Sequence, residues 1–186
     1  MDTVLGIIIG IGLSAACGFR VFVPLLGLSI ASLSGYLTLS PGFEWIGSWP
    51  ALIAFASATL LEIGAYYIPW LDNAMDAVMT PAAIVAGSIV TASMVFNLTP
   101  FLKWSLAIIA GGGVAGLVQA GTVMLRGATS VGTGGLGNFL VATAEAGGSV
   151  LTTFLALIIP VVCLVLVVLF AFWILFRFIR GRHKQA

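Results

Sequence analysis

The sequence predicts an all-α polytopic membrane protein: a transmembrane helical bundle of about five spans, with a first segment that is bent, broken or re-entrant. Three observations predict it. Hydrophobic residues make up 61% of the 186 residues and charged residues only 7%, against about 25% charged in a soluble domain. Apolar runs recur near the length of about 20 residues that a membrane helix needs. Clusters of Pro, Gly and Asn separate those runs. A chain this poor in charge cannot cover a folded surface against water, so its solvent is lipid. A secreted domain, a cytosolic enzyme and a disordered tail are excluded. Residues 1–178 read as one transmembrane domain and residues 179–186 as a basic cytoplasmic tail.

The apolar segments are 4–33, 50–70, 74–98, 102–125 and 149–178. The first carries Cys17-Gly18-Phe19-Arg20 and then Pro24. One bent helix is the favoured reading there, and a re-entrant pair of half-helices is the alternative. It lacks a basic leader and a polar cleavage region, so it reads as a retained membrane segment rather than a removable signal. Residues 34–49 are rich in aromatics and suit an interfacial loop. Ile68-Pro69-Trp70-Leu71-Asp72-Asn73 reads as a tight turn, as does Asn97-Leu98-Thr99-Pro100. Residues 127–138 read as a glycine-rich connector.

Formal net charge is +1, which carries no nucleic-acid signature. Four of the seven basic residues, Arg177, Arg180, Arg182 and Lys184, lie in the last ten residues. They place the C-terminus in the cytoplasm and favour contact with anionic lipid. With five spans the N-terminus is then outside, Lys103 lies near the cytoplasm, and Asp72 and Arg126 lie outside. Arg126 is the exception to the charge rule.

Small residues recur at helix spacing: Gly6, Gly10, Ser14 and Gly18; Ala83, Gly87 and Thr91; Gly112, Gly116 and Ala120. Such stripes let backbones approach in lipid, and one of them could serve a homo-oligomer. A faint internal likeness links Arg20 and Glu62 with Arg126 and Glu145, each pair separated by a glycine-bearing loop. Inverted repeats flank transporter sites, although chance among small apolar residues is the plainer account.

The chemistry-bearing residues are few. His183 is the only histidine, and Cys17 and Cys163 sit in apolar runs. A His/Cys zinc site, a Ser-His-Asp triad and a Cys-His pair are therefore excluded, and no catalytic residue or cofactor is assigned. Arg20 and Glu62 lie deep in apolar segments, where each charge costs at least about 2.5–3.5 kcal/mol. They form either a structural pair between two helices or part of a polar pathway. Asp72, Asp76 and Thr80 share one helix face at spacing i, i+4, i+8. Asp72 and Asp76 are the pair that could hold a metal or share a proton. The plainer reading makes Asn73 an N-cap with Asp76 behind it. Pro81 frees the carbonyl of Ala77. The connector offers backbone amides for an anion, between Arg126 and Glu145. Its Gly132-Thr133-Gly134-Gly135-Leu136-Gly137 matches a dinucleotide pattern by letter but follows no strand, so that match is discarded.

Cys17-Gly18-Phe19-Arg20-Val21-Phe22-Val23-Pro24-Leu25-Leu26 resembles a bacterial membrane-protein family, domain of unknown function 4126. The likeness continues through Glu62, Ile68-Pro69-Trp70-Leu71-Asp72-Asn73 and Ala110-Gly111-Gly112-Gly113 to Arg126 and the glycine-rich connector. It implies a bacterial inner-membrane protein and brings no reaction with it. The leading expectation is a small transporter or channel for an ion or small polar solute. Its pathway candidates are Arg20, Glu62, Asp72, Asp76, Thr80, Arg126 and Glu145. The rivals are an intramembrane enzyme acting on a lipid phosphate, with Asp72 and Asp76 holding a metal, and a structural or lipid-organising protein. The expected partners are membrane lipids, further copies of the chain and the solute, with no nucleic acid.

Overall fold

The structure, a computed structural model, describes residues 2–66, 68–133 and 137–182; the side chains of residues 69, 70, 72–74, 133, 171 and 173–182 lie outside the description. The chain forms α1 (Thr3–Phe19), α2 (Phe22–Leu33), a 3₁₀ turn (Glu44–Gly47), α3 (Trp49–Ala65), α4 (Pro69–Met94) and α5 (Pro100–Leu106). A π-helical stretch (Ala107–Gly112) then carries α5 into α6 (Gly113–Thr133), followed by α7 (Asn138–Ile158) and α8 (Pro160–Arg182). No strand occurs among the described residues. Met75–Met94, Pro100–Gly132 and Asn138–Ile158 are each long and apolar enough to cross a membrane. The protein is a helical bundle of membrane character.

The first apolar segment is two helices, where one bent helix is the favoured expectation. Pro24 has no amide to offer Arg20, and its ring would crowd the Arg20 carbonyl in a continuous helix. The chain breaks there: Arg20 is extended at φ −145°, ψ 127°, and Pro24 falls in the first turn of α2, where proline is tolerated. Contacts along α7 give the course of the two halves. Phe19 lies over Gly148, and Gly12 lies against Ala156, so α1 runs antiparallel to α7. Gly27 then meets Thr153, and the α2–α7 groove continues to Ile30, Ser34 and Leu157. The second half therefore returns beside the first. With rises of about 1.5 Å per residue, α1 is about 25 Å long and α2 about 18 Å. The segment is a helical hairpin, the form that a re-entrant segment would take.

The hairpin fixes two ends of the bundle. The near end holds the start of α1, residues 34–48, the start of α3, the end of α4 and the start of α5. Ser40 bonds Ala92 O and Ser93 O, and Lys103 Nζ donates to Ser40 Oγ at 2.5 Å. The far end holds the Arg20 break, the α3–α4 turn and the α6–α7 turn. Five helical passes, α3, α4, α5–α6, α7 and α8, run between the ends.

Helix α1 is the centre, buried along most of its length. Gly6, Gly10 and Ser14 take it onto α4. An added methyl at Gly6 would collide with Met94 O, and one at Gly10 would stand 3.0 Å from Thr91 Cα. Ser14 Oγ donates to Gly87 O at 2.7 Å. Gly18 takes α1 onto α6, against Ala115 O and Val118. The π stretch presents Gly111 and Gly112 to Thr91 and Ser88, so that Thr91 of α4 is shared between α1 and the π stretch. The three small-residue stripes thus work as backbone contacts within one chain.

Three further expectations change. Residues 127–133 are helical and continue α6, so their amides are spent within the helix. Glycine costs about 1 kcal/mol per residue there, but extending an existing helix avoids the nucleation cost. Thr129 and Ser130 then tie the turn to Asn138; residues 134–136 of the expected connector lie outside the described residues. Asn73 sits inside α4, which begins at Pro69, so it is no cap. Finally, segment 149–178 is two helices divided at Pro160, and α7 starts eleven residues earlier than expected, at Asn138. The hairpin and this extra helix together invert the middle of the expected topology. Arg126 shares the far end with the tail helix, and Lys103 lies at the opposite end.

Candidate functional site

At the far end of α1 the break leaves the first amides of α2 without intrahelical acceptors. Glu62, on the buried face of α3, supplies them. Its Oε1 accepts from Val21 N at 2.8 Å and its Oε2 from Phe22 N at 3.0 Å. The expected Arg20–Glu62 pair is therefore replaced by a carboxylate seated on a helix N-terminus, an arrangement favoured by the helix dipole.

Arg20 turns to α7. Its Nη2 lies 3.2 Å from Glu145 Oε2 and donates to Ala142 O at 3.0 Å. Glu145 also receives Arg126, side on and through two bonds: Nε to Oε1 at 3.0 Å and Nη2 to Oε2 at 2.9 Å. A planar guanidinium matched to a carboxylate in this way is the strong form of the pair. Arg126 Nη1 bonds Asp76 Oδ1 on α4. Tyr66, one turn beyond Glu62 on α3, donates to the same Asp76 oxygen at 3.2 Å. Its ring lies 3.8 Å from Arg20 Cζ and 4.3 Å from Arg126 Cζ. The ring face takes up cationic charge from both arginines.

Five ionisable side chains, from the α1–α2 break and from α3, α4, α6 and α7, thus meet in one cluster. Arg20 is 1% exposed and Asp76, at the outer edge, 15%. The cluster sets two guanidiniums against three carboxylates. Two nitrogens of Arg20, Nε and Nη1, have no hydrogen-bond partner among the described residues. Gln119 Nε2 is likewise buried without a partner, on the helix that α1 crosses at Gly18.

The sequence candidates divide cleanly. Arg20, Glu62, Asp76, Arg126 and Glu145 come together. Thr80 does not join them through its side chain, because its Oγ1 donates back to Asp76 O at 2.7 Å. Asp72 lies one turn before Asp76, and its side chain is outside the described residues, so the Asp72–Asp76 metal pair is outside them too. Among the described residues no group of three or more His, Cys, Asp or Glu is placed to hold a metal ion. The sequence reading missed Tyr66 and the α2 amides. The signal for Tyr66 is its i+4 spacing from Glu62, which puts a polar aromatic on the same face.

Fold and cluster define a helical membrane protein with a buried ionic centre at a helix break. The chain belongs to the family described as Domain of unknown function (DUF4126), whose pattern it matches over residues 7–180. No curated protein and no solved structure matches it.

Proposed function

We propose that the protein carries a small ion or polar solute across the bacterial inner membrane. Arg20, Glu62, Asp76, Arg126 and Glu145 form the pathway and coupling site. One observation carries the reading: charges from four helices converge with Arg20 on the α1–α2 break rather than pairing two by two. Intramembrane ionisable groups mark solute and proton pathways more often than they act as simple ties. Broken helices with exposed backbone termini are the usual way a transporter builds a binding site within the bilayer.

The test is uptake of a panel of ions and small polar solutes into proteoliposomes. Wild-type protein should move at least one of them, and Asp76→Asn should cut that flux at least about tenfold while the protein stays folded. A flux unchanged by Asp76→Asn and by Glu145→Gln would leave the cluster as a structural lock.

A further inference from the structure

We propose that the site takes a small oxyanion together with a proton, and that Glu62 is the group that receives the proton. The inference rests on the transport reading above and names its solute class. Its first support is the donor surplus. Arg20 is almost wholly buried, yet Nε and Nη1 lack acceptors, and a buried donor without an acceptor is costly. The guanidinium lies on the Tyr66 ring, one helical turn from Glu62. A second group of donors, the Val21 and Phe22 amides, is held by Glu62 alone. An oxyanion is the ligand class that both sets of N–H groups recognise, one through charge and one through a helix N-terminus.

The second support is the charge balance. With all five groups ionised, the cluster is one negative charge in excess. An arriving anion would double that excess within the bilayer, where uncompensated charge is expensive. Protonating one carboxylate restores the original balance. Glu145 and Asp76 both hold Arg126, so a proton on either would weaken an ion pair. Glu62 joins no ion pair among the described residues. A proton placed on one of its oxygens weakens only its hold on the α2 amides, and those amides become available to the anion. Glu62 acts as a tethered anion that leaves when a free one arrives.

The groups around Glu62 set the pH response. Arg20 at the α1–α2 break, Arg126 of α6 and Cys17 of α1 act on it directly, while Glu145 of α7, Asp76 of α4 and Tyr66 act on those two arginines. Only the two arginines carry positive charge. They oppose protonation of Glu62 in the empty site, and an anion lying between them and Glu62 offsets that opposition.

The experiment is binding of formate and of nitrate, both monoanions, to the full-length protein in nanodiscs, by calorimetry. If one proton enters with each anion, the dissociation constant rises with pH, by as much as about tenfold per pH unit. Glu62→Gln, a neutral mimic of the protonated group, should bind with the acid-side affinity and no pH slope. Arg20→Gln should lose binding at least about a hundredfold. Absence of binding by folded wild type at about pH 5.5 for both probes, or a pH slope that persists in Glu62→Gln, overturns the proposal. The slope test stands even if Arg20→Gln does not fold. Binding without any flux in proteoliposomes would support the site and defeat the transport reading. Flux of a cation or neutral solute without oxyanion binding would do the reverse.

Discussion

At the residue scale Glu145 holds the cluster together. It is the shared acceptor for Arg20 and Arg126, both almost fully buried. Glu145→Gln would leave two guanidiniums facing a neutral amide. Breaking a buried pair from one side costs about 3–5 kcal/mol, and the loss should appear as a lower unfolding midpoint in detergent. Tyr66 makes a finer test, since its ring and its hydroxyl serve different partners. Tyr66→Phe keeps the face beneath both arginines and gives up one hydrogen bond to Asp76, about 1 kcal/mol. Tyr66→Leu also gives up two cation–π contacts, each about 0.5–2 kcal/mol. Leu should therefore destabilise clearly more than Phe, and equal melting shifts would remove the ring from the account. These residues were unevenly legible. Arg20, Glu62, Arg126 and Glu145 stand out because a charge inside an apolar run has few explanations. Their pairing did not, because partners 19 to 125 positions apart are set by tertiary packing and leave no trace in spacing.

At the element scale the hairpin and the glycine stripes decide how close the backbones come. Proline placement made the break at Arg20 readable, but its sharpness was not, because a bend and a reversal differ only in the tertiary contacts of the second half. The stripes were readable from spacing, and the fold uses them at α1–α4, α1–α6 and α4–α6. Two substitutions separate packing glycines from incidental ones. Gly10→Leu drives a side chain into Thr91, whose Cα is already 3.0 Å from where a Cβ would stand. It should block folding or lower the unfolding midpoint sharply. Gly113, just past the π stretch, has nothing within 4 Å of an added Cβ. Gly113→Ala should leave the fold intact and stabilise it by about 0.5–1 kcal/mol. Destabilisation by Gly113→Ala would mean that the π stretch needs a flexible exit.

At the scale of the whole molecule, the sequence and the structure agree on a helical bundle of membrane character that starts at one end and finishes at the other, and differ in which end each intermediate turn occupies. Counting apolar segments treats 4–33 as one crossing and 149–178 as another. The hairpin makes the first a return, and Pro160 makes the last a pair with α7, whose first turns carry Asn138, Thr143 and Glu145 and so escape a search for apolar residues. The two errors cancel in the total and shift each intermediate helix by one crossing. The corrected arrangement has a physical advantage, since Arg126 now lies at the tail end of the bundle and its exception to the positive-inside rule disappears. The near end bears a single lysine, Lys103, held against Ser40 and the Phe43 ring, with Trp45, Trp49 and Trp104 exposed around it. We therefore expect the near end to face outward and the tail inward. Single cysteines introduced for Glu44, Thr129 and Gln185 test this in intact cells, because the native Cys17 and Cys163 are buried. An impermeant thiol reagent should label Glu44→Cys without lysis, and should label Thr129→Cys and Gln185→Cys only after it. Labelling of Gln185→Cys from outside would reverse the orientation. Labelling of Thr129→Cys together with Glu44→Cys would restore the crossing order read from the apolar segments and remove the re-entrant hairpin on which the site is built.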